Sequence, residues 1–212
     1  MNKYTYVIWD FNGTILDDAG LSRKCVNRLL SERGLRTLKS TDEYRRIFRF
    51  PIIEYYRLAG FDFEKESYEE LAPKWVKLYL EYIDEAKLFC DVPRTLDRFH
   101  AEGLRQAVIS ATEISMLRTQ LSELGILNRF DGVFGLDNIH AESKVALAKS
   151  WRAANPDERV LFLGDTAHDA EVAAEIGADC VLIARGHQLR STLEKCGVPV
   201  KSSLDEIDIC AD

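Results

Sequence analysis

The chain has 212 residues, 46% of them apolar and 30% charged, and a net charge of −7, which supplies one hydrophobic core with at most a small added domain and argues against a nucleic-acid partner, since phosphate backbones demand clustered Lys and Arg. No apolar run approaches the ~20 residues needed to cross a bilayer, and Met1-Asn2-Lys3-Tyr4 lacks the basic-then-apolar pattern of an export signal. Five scattered cysteines (Cys25, Cys90, Cys180, Cys196, Cys210) form no CxxC pair, so neither a disulfide framework nor a zinc site is expected and a reducing cytoplasm fits.

Tyr4-Thr5-Tyr6-Val7-Ile8-Trp9 is rich in β-branched and aromatic residues and reads as a buried strand, ending at Asp10 with the turn dipeptide Asn12-Gly13 directly after it. An aspartate at the carboxyl end of a buried strand sits where open α/β sheets bind ligands. The plainer alternative is an Asx turn. Residues 17–88 then change pattern. Val26, Leu29 and Leu30, next Ile47, Ile52, Ile53 and Tyr56, then Leu71, Trp75, Leu78, Tyr79 and Tyr82 recur at helical spacing, predicting an all-helical insert of about four helices. The insert carries 14 Lys+Arg and 14 Asp+Glu, so the rest of the chain holds the whole net charge. Its boundaries, at Asp17-Asp18 and near 89–93, divide the chain into a core of residues 1–16 and 89–212 and a helical part of residues 17–88.

Beyond the insert, strand-like runs at 105–109, 133–134, 160–163 and 180–183 alternate with helical periodicity in Ile114, Leu117, Leu121 and Leu124, in Val145, Ala148 and Trp151, and in Val172, Ala173 and Ile176. The alternation predicts a Rossmann-like α/β core, a parallel sheet with helices on both faces. The second strand runs into Ser110-Ala111-Thr112, a hydroxyl at a strand end that by itself reads as a helix N-cap. Lys144 opens a helix after Glu142-Ser143, opposing the helix dipole, though any single such lysine is more simply a solvated one. Gly164-Asp165-Thr166-Ala167-His168-Asp169 sets two carboxylates four apart across a strand-to-helix turn. Paired acids there are costly unless a cation neutralises them, which implies a hard divalent metal on oxygen ligands.

Taken in this order, strand-Asp10-Phe11-Asn12-Gly13-Thr14, strand-Ser110, Lys144 and strand-Gly164-Asp165-Thr166-x-x-Asp169 resemble the haloacid dehalogenase (HAD) superfamily over nearly the whole chain. The place of the insert, the segment Phe89-Cys90-Asp91-Val92-Pro93-Arg94-Thr95-Leu96 and the run Ala173-Ala174-Glu175-Ile176-Gly177-Ala178 resemble its phosphoglycolate-phosphatase-like members, whose helical cap follows the first strand. The resemblance implies a phosphatase of a small phosphorylated metabolite that works through an aspartyl-phosphate on Asp10. It implies Mg²⁺ held by Asp10, the Asn12 backbone carbonyl, Asp165 and, directly or through water, Asp169, and phosphoryl contacts from Ser110, Ala111, Lys144 and the Gly13-Thr14 turn. In the cap, Arg49 is the candidate for an anionic substrate group, against the alternative that it pairs with acids on a solvated face. Phosphonate-cleaving relatives use a cap lysine, and no lysine lies between Lys39 and Lys65.

Position 12 departs from the family, whose active phosphatases carry there a second aspartate that protonates the leaving oxygen and later activates water. An amide does neither. Four readings stay open: a substrate with a leaving group good enough to need no acid, a substitute acid in His168 or His140, a protein that binds a phosphorylated ligand with little turnover, or an engineered substitution at position 12.

Overall fold

The computed structural model describes residues 3–140 and 143–209; Met1, Asn2, Glu142 and Cys210, named above, lie outside the described residues. In chain order, strand β1 (Tyr6–Trp9) and a two-residue β2 (Leu16–Asp17) precede helices α1 (Ala19–Glu32), α2 (Thr41–Ile47), α3 (Ile52–Ala59) and α4 (Tyr68–Glu81), after which comes a two-residue β3 (Lys87–Leu88). Helix α5 (Val92–Ala101) leads to β4 (Arg105–Glu113), α6 (Ile114–Glu123), β5 (Gly132–Leu136), α7 (Val145–Ala154), β6 (Val160–Gly164), α8 (Ala167–Glu175), β7 (Asp179–Ile183), the short α9 (Arg190–Leu193) and β8 (Val200–Lys201).

Six strands form one sheet in the order β5-β4-β1-β6-β7-β8, and every neighbouring pair is parallel. Alternation along each strand sorts its side chains between two apolar layers. Val7 and Trp9, with Leu161 and Leu163, pack on one face against Leu96 and Phe99 of α5 and Leu117 and Leu121 of α6. Tyr6 and Ile8, with Val160 and Phe162, pack on the other against Ala148 and Trp151 of α7 and Val172 and Ala173 of α8. Polar chain turns therefore collect at the carboxyl edge, where β1, β4 and β6 end side by side. The expected strands and helices are present; β4 runs on to Glu113, with a register shift between Ile109 and Glu113 that bends Ser110 to Thr112 out of the regular ladder.

The four helices between β2 and β3 have an apolar centre of their own, built from Val26, Leu29, Leu30, Tyr44, Tyr56 and Leu71. Ser40 caps α2, and Ser67 with Glu70 forms a capping box on α4. The two chain connections to this segment pair as an antiparallel ribbon, Leu16 with Leu88 and Asp17 with Lys87.

Candidate active site

Asp10 leaves the end of β1 with its backbone N–H tied to the Leu163 carbonyl at 2.8 Å, so the sheet itself aims the carboxylate. Lys144, the N-cap of α7 and only 2% exposed, sends its ammonium to Asp10 Oδ1, to Asp169 Oδ1 at 2.7 Å and to the Ile109 carbonyl at 3.2 Å. Far from being a solvated surface lysine, it is the cation of a buried cluster. Asp169 opens α8, and its second oxygen accepts from the Asp165 and Thr166 N–H groups at 3.1 and 2.9 Å and from the Thr166 hydroxyl at 2.7 Å. Asp165 accepts from the Thr14 hydroxyl at 3.4 Å and from the His187 N–H at 2.5 Å.

Oxygens of Asp10, Asp165 and Asp169 lie within 4.8 Å of one another. Of the three buried carboxylates Lys144 contacts Asp10 and Asp169 but not Asp165, and their proton affinities differ accordingly. Burial pushes the Asp10 carboxyl up to about 6, with Lys144 pulling it down and Asp169 adding to the rise. Burial also pushes Asp165 well up against the pull of His187. Asp169, by contrast, is held below its ordinary value because Lys144 and the Thr166 hydrogen bonds outweigh the effect of burial. A set of hard oxygen donors with unbalanced negative charge suits a small divalent cation.

Asn12 sits at the centre of a second network. Its carbonyl accepts from the Thr112 hydroxyl at 2.8 Å, and Thr112 in turn accepts from Ser110 at 3.0 Å. Its amide donates to Asp18 Oδ2 at 2.8 Å and to the Tyr79 hydroxyl at 3.0 Å. Asp18, 1% exposed, also accepts from the Tyr79 hydroxyl at 2.8 Å, the Gly13 N–H at 3.0 Å and His187 Nε2 at 3.1 Å. Burial would raise Asp18, yet the charge of His187 and these hydrogen bonds hold it low; Asp18 conversely lifts His187 to about 9 against burial. Nδ1 of His187 is hydrogen-bonded with the Tyr44 hydroxyl at 2.7 Å.

Asp10, Asn12, Ser110, Ala111, Lys144, Asp165 and Asp169 all line one cavity of about 140 Å³. Gly13 and Thr14 do not. The Gly13 N–H is spent on Leu16 and Asp18, and Thr14 is fully buried behind Asp165. Gly13 stands at φ 78° with no room for a Cβ beside Asp165, so this turn supports the acid rather than facing the cavity. Arg49 is exposed, its guanidinium turned to the Ile47 carbonyl at 3.4 Å. The inward places near it belong to Phe48, stacked on His187, and Phe50, stacked on His168. Arg45 instead joins the helical segment to the loop after β7, donating to the Gly186 and Arg185 carbonyls at 2.7 and 2.6 Å. His168 is held by Glu171 and Ser143 at 3.1 and 3.3 Å, and the His140 carbonyl accepts from Tyr68 at 2.6 Å; neither histidine lines the cavity.

Four contributors escaped the sequence reading: Asp18, Tyr79, Thr112 and His187. His187 had the best available signal, because Arg185-Gly186-His187 directly follows β7 at the carboxyl edge of the sheet, and Gly186 again leaves no room for a Cβ beside Asp165.

Known proteins resemble this chain in sequence and in fold. The family model described as haloacid dehalogenase-like hydrolase matches residues 7–183. A phosphoglycolate phosphatase of Cereibacter sphaeroides is 26% identical over 187 residues, covering 86% of each chain. Among solved structures, a haloacid dehalogenase-like hydrolase of Streptococcus pneumoniae superposes with a TM-score of 0.81 at 18% identity over 97% of both chains. Protein Tyrosine Kinase A of Mycobacterium tuberculosis does so at 0.79 and 24% identity, over 96% of this chain and 95% of its own. At those identities the superpositions speak for fold alone.

Proposed function

The chain belongs to the haloacid dehalogenase-like hydrolase family, and on that premise we propose that it is a magnesium-dependent phosphatase of a small phosphorylated metabolite, with Asp10 as nucleophile. The observation that carries this reading is the buried Asp10 carboxylate at the end of β1, in contact with the Lys144 ammonium and flanked by Asp165 and Asp169. The phosphatase names among the relatives point the same way.

Asp10 attacks the phosphorus in line. The bond from phosphorus to the leaving oxygen breaks, its electron pair departs on that oxygen, and an aspartyl-phosphate remains. Water then attacks the same phosphorus, freeing Asp10 and inorganic phosphate. Lys144 neutralises Asp10 and the arriving phosphoryl group, and Ser110 offers its hydroxyl to a phosphoryl oxygen. Mg²⁺ would be held by Asp10, Asp165, the Asn12 backbone carbonyl and Asp169, and would screen the nucleophile from an anionic substrate and stabilise charge on the transferring group. Asn12 supplies no proton in the first step and no base in the second, so turnover is slow with simple alkyl esters. The locked Asn12 amide favours one other reading, a phosphoryl-binding protein with little turnover.

Phosphate release and thermal melting separate the two. Millimolar Mg²⁺ should raise Tm, by roughly 2.7 kcal/mol of stability at a hundredfold excess over Kd, and should switch on phosphate release from a phosphoester panel. Asp165→Asn should lose both effects, and Asp10→Asn should abolish the release while also weakening the Mg²⁺ shift, since Asp10 is itself one of the oxygen donors. Melting shifted by Mg²⁺ without any release would favour the binding protein.

A further inference from the structure

Above the charged end, the cavity is roofed by the helical segment. Phe48, Tyr55 and Tyr56 from the region of α2 and α3, Tyr68 and Trp75 from α4, and Met116 from α6 line it. No cation from that segment reaches it. The positive groups on the cavity wall are Lys144, engaged with Asp10 and Asp169, and His187, engaged with Asp18. Arg45 spends its guanidinium on two backbone carbonyls, and Arg46 and Arg49 are exposed. Glu113, on the same wall, spends both carboxylate oxygens on the Ser115 and Met116 N–H groups at 2.9 Å each. A carboxylate or second phosphate on the leaving group would thus lie against an apolar roof and meet no free cation to pair with. The cavity, at about 140 Å³, is of the order that holds one benzene-sized ring.

Resting on the phosphatase reading, we propose that the substrate is an aryl phosphate monoester whose leaving group is a single uncharged aromatic ring, stacked among the roof residues while its phosphate meets Asp10. Asn12 fits this class. A phenol ionises near pH ~10, as tyrosine does, so a phenolate departs without the proton that an alkoxide requires. The same substrate class accounts for the aromatic roof and the missing acid.

Aryl esters are also intrinsically reactive, so the test must separate recognition from leaving-group quality. With Mg²⁺ present, kcat/KM is measured for phenyl phosphate, 4-carboxyphenyl phosphate and phosphoglycolate, together with the Kd of the inert phenylphosphonate and phosphonoacetate by calorimetry. The carboxyphenolate is the better leaving group, so chemistry alone would make its ester the faster one. The expected result is the reverse: phenyl phosphate ahead of both acids by about 10²-fold in kcat/KM, a discrimination that one group in an apolar pocket can supply, with phenylphosphonate the tighter ligand. Parity or preference for either acid overturns the aryl assignment and leaves the phosphatase standing. If all three esters are inert while phenylphosphonate binds, the phosphatase reading falls, and the aryl ester falls with it as a substrate.

Discussion

The floor and the roof of the cavity are built on opposite chemistry. On the floor, at the carboxyl ends of β1, β4 and β6, charged groups are buried close together and satisfy one another: Asp169 bonds Lys144 and three donors of its own loop, and Lys144 bonds two carboxylates and a carbonyl. On the roof, rings pack edge and face, Tyr44 against Tyr55 at 5.6 Å and Trp75 against Tyr79 at 4.8 Å, and few polar atoms turn inward. In the proposed reaction the floor polarises and attacks the phosphoryl group, whereas the roof selects what is attached to it. Reaction type and substrate choice are thereby assigned to separate parts of the chain. They meet in one network, where Asn12 and Asp18 are bridged by Tyr79 of α4 and Asp18 is paired with His187.

That meeting point is where the comparison breaks most readily. Asn12→Asp is nearly isosteric, but it places a carboxylate where the amide now donates to Asp18 at 2.8 Å. A half-buried acid in contact with the buried Asp18 should cost about 1–3 kcal/mol, up to the scale of an uncompensated buried charge, read as a lower midpoint in urea. Exchanging the pair, Asn12→Asp with Asp18→Asn, returns an amide to the contact and keeps the summed charge with His187 unchanged. Most of the stability should come back, and alkyl phosphate turnover should rise by roughly 10²-fold or more as an acid–base group enters position 12. A double variant that is stable yet no faster than wild type would show that the missing acid is not what limits the rate.

A smaller effect sharpens the contact between roof and floor. Tyr79→Phe removes a hydroxyl that donates to Asp18 and accepts from Asn12, while the ring and its stacking on Trp75 remain. The expected loss is about 1–2 kcal/mol, the worth of a hydrogen bond to a charged group, again read by urea denaturation. An unchanged midpoint would mean that the hydroxyl is replaceable by water and that Tyr79 joins the two regions only by packing.

The two regions were unequally legible in the sequence. Asp10, Ser110, Lys144, Asp165 and Asp169 could be read because each follows an apolar strand or opens a helix, and the sheet carries every strand end to the same edge. The roof is different. Helical spacing exposed its four helices, but the face of each that meets the floor depends on how they pack, and that is not written in any local period. Arg49 looked like a contact because it lies in the most basic stretch, yet Phe48 and Phe50 take the inward positions by stacking on His187 and His168. Asp18 read as a boundary residue for the same reason: its partners at positions 12, 13, 79 and 187 converge only after folding. Strands β2, β3 and β8, two residues each, are too short to leave a period-two pattern.

The central claim is that Asp10 is a phosphoryl acceptor standing next to a position that can no longer activate water. Such a site should form its aspartyl-phosphate faster than it hydrolyses it. The direct measurement is a rapid acid quench of the Mg²⁺-loaded protein with phenyl phosphate, followed by peptide mass spectrometry and phenol quantitation across the first turnover. The account expects a phenol burst approaching roughly one equivalent per chain, then a slow steady state, with the phosphoryl mass on the peptide containing Asp10 and both signals absent in Asp10→Asn. Steady phenol release without a burst, no phosphopeptide at any quench time and turnover surviving in Asp10→Asn would contradict it.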